Sequence, residues 1–191
     1  MPKSREQCEK IREESKKKIL DHSIMYFAKN GLEGTKIGDL AKTIGIAQGS
    51  IYSYFDSKEE LFSEVQKAAM NNIGTEELEK INSGDLPPIR KLRYVSDFIV
   101  KNLSENDLYC AYFYLAFYKR MHGEKDEQDP FILTIRQIIS QGQKKGVFVK
   151  GDTERIADYY VGVIYLYAMR KIYDPKISVL TSSELERVVR E

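Results

Sequence analysis

The chain has too little cysteine for a disulfide framework and no apolar run long enough to span a membrane. Its two cysteines, Cys8 and Cys110, stand far apart and form no CxxC pair, which also argues against a zinc site. The longest uncharged runs, Leu108–Tyr118 and Tyr159–Met169, fall short of the roughly 20 residues a spanning helix needs. The N-terminus is charged rather than apolar, so no secretory signal is expected and a cytoplasmic protein with no membrane partner is. Neither sign of charge is in excess: the net charge is +1, which says nothing for or against nucleic acid. Histidine is scarce, with His22 and His122 far apart and without obvious partners. A Walker phosphate loop, a GxGxxG turn, an HExxH helix and a GxSxG elbow are all missing. An enzyme is therefore not the expected class, and neither a cofactor nor a metal is expected.

What is present reads as an ordinary globular protein: 42% hydrophobic residues with 31% charged. A length of 191 residues suits one large domain, or a small one joined to a larger. Residues 1–58 carry 11 Lys and Arg against 8 Asp and Glu, and the remainder 19 against 21, so the slight basic excess lies at the front. Residues 1–15 are polar with no apolar face beyond Ile11, either a frayed extension of the first helix or a mobile arm. From about Lys16, Ile19, Ser23 and Phe27 form a helical stripe with Leu20 and Ile24 beside it. Gly31 fits its stop, and Thr35 fits the N-cap of the next helix.

Ser57 and Glu60 have capping-box spacing, so another helix is expected from there towards residue 80, with Gly74 weakening its later half. After the break at Asn82–Pro88, helical patterns cover about 88–104 and 107–121. A charged loop at Gly123–Asp129 ends at Pro130, then come a helix to about Lys145 and one from Thr153 to about Tyr173. Ser183 with Glu186 suggests a short capped helix at the end. No run of period-2 strands is seen, so the fold class is all-α.

The most informative stretch is residues 37–61. Ile37, Leu40, Ala41 and Ile44 recur at helical spacing, Gly45 supplies the left-handed turn, Ile46 plugs the core, and Ala47 to Tyr54 form a second short helix. That is a helix-turn-helix, whose second helix enters a major groove. With Tyr52, the Tyr54-Phe55 pair, and Lys58 with Leu61 at fixed spacing, the stretch resembles the TetR family of bacterial transcription regulators. The resemblance is specific over residues 19–61 and architectural beyond them. It implies a helix-turn-helix domain at 1–57, followed by a helical ligand-binding and dimerisation domain at 58–191. One departure is Gly38, where many relatives carry a better helix former; it either loosens that helix or permits close packing.

Base reading falls to the first exposed positions of the recognition helix, Ala47, Gln48, Gly49 and Ser50. Gln48 suits adenine, Ser50 suits several base edges, and Gly49 lets the backbone come close. The plain alternative is a solvated helix start. Tyr52 and Tyr54 resemble family positions whose hydroxyls bond phosphates; the alternative is aromatic core, to which Phe55 is assigned. Both tyrosines cannot face inward equally, so at least one is expected to reach the phosphates. Lys58 opposes the helix dipole in a first turn, which makes sense with a phosphate over that N-terminus. Thr35 and Lys36 receive the same reading, and Lys16-Lys17-Lys18 lies near the backbone or is simply solvated.

Ten of the 13 tyrosines lie after residue 93, several of them within Tyr109–Tyr118. Plain packing with a hydroxyl rim is one reading. A cavity for a small apolar or aromatic ligand is the other, with Tyr94, Phe98, Tyr112, Phe117 and Met121 as candidate lining and Arg93 or Arg120 as partners for an acidic group. The helix at 153–173 is apolar around most of its girth and must be covered on two sides. Gly162 would admit a facing helix, and Phe131, Ile135, Ile138, Ile139 and Gly142 stripe the preceding one. Both look like the family's paired helices, which join two copies in a four-helix bundle and set two recognition helices one DNA turn or more apart. The whole implies a homodimer binding double-stranded operator DNA, a repressor released by a small-molecule inducer. The alternative is a helix-turn-helix module that binds protein and takes no ligand.

Overall fold

Helix α1 (Arg5–Gly34) is the longest element among the described residues. The computed structural model describes residues 5–71, 74–122 and 129–190. The expected charged loop lies outside them over 123–128, as do residues 1–4. Residues 5–15 continue the helix rather than hanging loose. They are built of good helix formers and carry an i,i+4 pair between Arg5 and Glu9 at 3.6 Å. Further on, α1 buries Ile19, Ser23, Ile24, Phe27 and Ala28, and Gly31 breaks the helix with a φ of 67°.

Two short helices come next, α2 (Ile37–Ile44) and α3 (Gln48–Tyr52). α2 buries the four residues expected of it, Ile37, Leu40, Ala41 and Ile44. Burial of such side chains is worth about 1.5–3 kcal/mol each. Gly45 ends α2 at φ 80°, a left-handed geometry that L side chains rarely adopt, and its N–H bonds the Ala41 and Lys42 carbonyls. Thr35 is not the cap: Lys36 holds that position, and the Thr35 hydroxyl donates back to the Gly31 carbonyl at 2.6 Å.

The expected single helix from residue 58 to 80 is two helices, α4 (Lys58–Asn71) and α5 (Thr75–Ser83), because Gly74 takes φ 101° between them. The N-terminus of α4 is capped as foreseen, with the Glu60 N–H donating to the Ser57 hydroxyl at 3.0 Å and the Glu60 carboxylate accepting from the Asp56 N–H. Phe62 on α4 packs between Phe27 of α1, 5.0 Å away, and Tyr118, 5.3 Å away. A shared core thereby joins the first three helices to the rest of the chain.

The remaining helices are α6 (Pro88–Glu105), α7 (Asp107–Met121), α8 (Pro130–Lys144), α9 (Thr153–Tyr173) and α10 (Ser182–Glu186). Every regular element among the described residues is a helix, as the all-α reading requires. α7 packs on α9, α1 and α4; α8 lies against α9, α6 and α5; α10 closes over α6 and α9. The cap of α10 is Thr181 with Glu184, two residues before the expected Ser183–Glu186 pair. Glu186 is instead 1% exposed, where it accepts from Arg93 of α6 and from Arg190 at 3.0 Å.

Polar ties of this kind run through the body. The hydroxyls of Ser96 and Tyr160 bond at 2.8 Å in the interior. Lys171 of α9 donates to the Leu103 and Ser104 carbonyls, both at 2.6 Å, completing the end of α6. Tyr173, in the last turn of α9, donates to the Ala28 and Lys29 carbonyls of α1 at 3.5 and 3.3 Å.

Candidate nucleic-acid interface

A helix of five residues cannot hold itself together in water. α3 stands because Ile51 and the following Phe55 are each 1% exposed and plug the core beneath it. That inward commitment leaves Ala47, Gln48, Gly49, Ser50 and Tyr52 all exposed on the outer side. Tyr52 is 45% exposed while Tyr54 is half-buried against Phe55, so the two tyrosines divide as expected, with Tyr52 the outward one. A side chain at Gly49 would meet nothing within 4 Å, so its surface is open.

Gly38 proves to be a matter of close packing. A methyl group there would stand 3.1 Å from the Gln48 side-chain oxygen, so the Gln48 carboxamide lies over α2 where a larger residue would push it away. The glycine does not loosen α2, which runs unbroken to Ile44.

Lys36 and Lys58 flank this row, Lys36 exposed at the start of α2 and Lys58 half-buried at the start of α4. Thr35 departs from expectation. At 3% exposure its side chain belongs to the turn between α1 and α2, because its hydroxyl is engaged by Gly31. Lys16 has turned inward too, its ammonium 5.5 Å from the Phe55 ring and 3.8 Å from Glu64, while Lys17 and Lys18 remain exposed. Arg12, not singled out from the sequence, reaches the end of α3. A signal for it existed: the Ile19–Ser23–Phe27 stripe, run backwards by turns of three or four residues, passes through Lys16 and Arg12.

Residues 19–65 match the family model described as bacterial regulatory proteins, tetR family. Over this segment the chain matches the TetR family. Over 67 residues it is 39% identical to the HTH-type transcriptional regulator AcrR of Shigella flexneri, covering 35% of this chain and 31% of AcrR. Over 61 residues it is 38% identical to IcaR of Staphylococcus aureus (strain Newman), the negative transcriptional regulator of the biofilm operon icaADBC, covering 30% and 33%. The chain thus spans about a third of the length of the curated relatives it matches. The solved structure of AibR in complex with isovaleryl coenzyme A and operator DNA covers 90% of this chain and 94% of its own, with a TM-score of 0.67 and 14% identity. Apo AibR gives a TM-score of 0.70 at 15% identity. Likeness at such identity shows the fold.

The candidate ligand-lining residues separate into two groups. Phe98, Tyr112 and Phe117 join one aromatic cluster. Phe98 and Tyr112 each meet Tyr109 at 6.4 Å, Tyr109 meets Phe113 at 5.2 Å, and Phe117 meets Tyr165 at 5.2 Å. Burial pushes the Tyr109 and Tyr165 phenols far above their ordinary value, so both are neutral donors in an apolar setting. Tyr94 and Met121, by contrast, are 51% and 67% exposed. α6 turns Leu92, Val95 and Ile99 inward, which leaves Tyr94 on the outer face, and Met121 sits in the last turn of α7. Arg93 and Arg120 are engaged within the chain, with Glu186 and with Asp158 at 2.8 Å.

The stripe on α8 also faces inward: Phe131, Ile135, Ile138, Ile139 and Gly142 are buried in the chain's own core, with the Phe148 ring flush on Gly142. α9, by contrast, turns part of its apolar surface outward. There Tyr159 and Leu166 are 57% and 54% exposed around an open Gly162, and on α8 Leu133 is 45% exposed.

Proposed function

We propose that this protein is a DNA-binding transcription regulator acting as a homodimer, a repressor released by a small molecule. The observation that carries the reading is the outward row Ala47–Ser50 with Tyr52, standing on a helix whose only buried residue is Ile51. A surface helix with no apolar outer face and short polar groups at its N-terminal end suits the major groove, where such groups reach base edges. Gln48 and Ser50 read bases; Ala47 and Gly49 allow approach; Tyr52, Lys36 and Lys58 engage phosphates. Tyr54 and Thr35 support this surface from within.

The division of labour falls at residue 57/58, with α1–α3 reading DNA and the later helices forming the dimer and the ligand site. Tyr159, Gly162 and Leu166 with Leu133 are the surface for a second copy, which a two-fold axis would pair with itself. Phe98, Tyr112 and Phe117 are the walls for a small apolar or aromatic ligand. AibR, of the same fold, was solved with both a small acyl thioester and operator DNA, which supports one chain serving both roles. Release requires the ligand to prefer a spacing of the two heads that the operator does not. The route runs along α4, which packs on both α1 and α7.

The test starts from duplexes selected by the protein out of a randomised pool, bound at 50 and 200 mM salt. Six neutralised phosphates would weaken binding by about 10³-fold across that range through counterion release. The complex should contain two chains per duplex. Failure to enrich any duplex, with a flat salt response, would transfer the helix-turn-helix to the protein-interaction reading.

A further inference from the structure

Arg12 lies two helical turns before the matched segment 19–65, on a stretch of α1 that buries nothing: residues 5–14 are all exposed and Ser15 is half-buried. At Arg12 this outlying stretch touches the recognition helix. The guanidinium donates to the Ser53 carbonyl at 3.1 Å, and its central carbon stands 5.0 Å from the centre of the Tyr54 ring. One turn later Lys16 faces the Phe55 ring and pairs with Glu64 of α4. Three consecutive residues that close α3 are thus engaged from outside by two cations of α1.

The recognition helix needs such a hold. Within α3 only Ile51 is buried, with Phe55 plugging the core just beyond its end, and two plugs one turn apart on one line resist withdrawal better than they resist rolling about the helix axis. The carbonyls of Gly49 and Ile51 are met by the N–H groups of residues 53–55, whereas that of Ser53, the C-cap, accepts from Arg12. A planar guanidinium suits that place, since it can donate in its plane and stack on an aromatic face at once. A cation at a helix C-terminus also complements the helix dipole. Direct attraction to phosphate is a poorer account of the segment, because residues 5–15 carry three basic side chains against four acidic ones.

We propose that Arg12 is a positioning residue for the recognition helix, holding the C-terminal end of α3 so that Gln48 and Ser50 meet a duplex at a fixed angle, without touching DNA itself. The inference rests on the regulator reading for its consequence, but the hold itself can be measured without DNA. In Arg12→Ala, amide hydrogen exchange at Ser53, Tyr54 and Phe55 should speed up on the order of tenfold while amides of α6–α9 stay unchanged. Arg12→Lys, which keeps the charge and loses the planar fork, should fall between the two. On the selected duplex, Arg12→Ala should lose about three- to tenfold in affinity, while binding to a scrambled duplex and the salt slope on both are unchanged. Unchanged exchange at residues 53–55 would overturn the proposal. So would a salt slope lower by about 0.9, the mark of a lost phosphate contact. A uniform fall in thermal stability, with both duplexes weakened alike, would overturn it too, as a general structural effect. Should the wild-type chain enrich no duplex, the regulator reading fails, and the exchange data still decide whether Arg12 holds α3.

Discussion

The first three helices and the later ones solve the problem of burial in opposite ways. In α1–α3 and the turns beside them the buried side chains are nearly all apolar, among them Ile19, Ile24, Phe27, Leu40, Ile51 and Phe55, with Ser23 and Thr35 the polar ones among the described residues. The later helices bury more apolar and aromatic surface and mix polar groups into it, such as the Ser96–Tyr160 pair, Glu186 between two arginines and Lys171 at the end of α6. A buried hydroxyl or carboxylate is tolerated only with its partner in place, so the body has more ways to be broken by a polar change. The head has fewer, and its outer face is free to be spent on recognition.

That contrast can be tested by perturbing each side. The largest effect is expected at the seam: Phe27→Ala removes a side chain that packs on Phe62 and should cost about 3–5 kcal/mol, read as a shift in the urea midpoint. If the head alone melts, the two regions are separate folding units; a single transition would make the contrast one of composition only. Within the body, Gly142→Val should cost about 1–3 kcal/mol by overpacking, since even a Cβ there would stand 1.9 Å from the Phe148 ring. Its thermal midpoint should fall while DNA affinity, measured below the transition, does not.

On the head, Gln48→Ala should leave stability within about 0.5 kcal/mol, because the residue is exposed, yet cost about 1–3 kcal/mol on the selected duplex and little on a scrambled one. Equal losses on both would deprive Gln48 of its reading role. Tyr173→Phe is expected to be small, about 0.5 kcal/mol in stability, since the hydroxyl that reaches the α1 carbonyls is partly solvated. It sharpens the comparison by asking whether α9 and the head are tied: exchange at the end of α1 should quicken if they are.

The gentlest perturbation is alkali. Burial, aided by the neighbouring Tyr173 hydroxyl, pushes the Tyr114 phenol up to about 12, and burial pushes the Tyr160 phenol higher. The folded state therefore keeps these protons where the unfolded chain releases them. Stability from this source is complete below the ordinary value near 10 and is lost as pH rises towards 12 and beyond. Helical circular dichroism followed with phenolate absorbance should show the body losing structure as its tyrosines ionise. Tyrosine ionisation with no loss of helix would show the cluster to be loosely packed.

The same contrast decides how much was legible. The helix-turn-helix could be read from Ile37, Leu40, Ala41, Ile44 and Gly45 because one core needs one stripe and the turn needs one left-handed residue. The later helices could be located from their prolines and caps, since Pro88 and Pro130 start helices and Asp152 caps one. Their facing could not. The Phe131–Gly142 stripe read as a surface for a partner and is buried in the chain's own core, and Tyr94 read as cavity lining and is exposed. A helix apolar on most sides does not say which side is turned where. Capping was misplaced twice: at Ser183 because three hydroxyls in a row, Thr181 to Ser183, fit and only the chain's path selects one, and at Thr35 because its hydroxyl turns back to the Gly31 carbonyl.

Local periodicity and turn chemistry, written in neighbouring residues, by themselves determined that this chain is helical throughout and begins with a glycine-turned pair of helices. Contacts between distant residues were decided only in three dimensions. Arg12 met Ser53, Arg93 was claimed by Glu186, and Tyr173 reached the end of α1, because such pairings depend on how helices cross and not on any spacing along the chain.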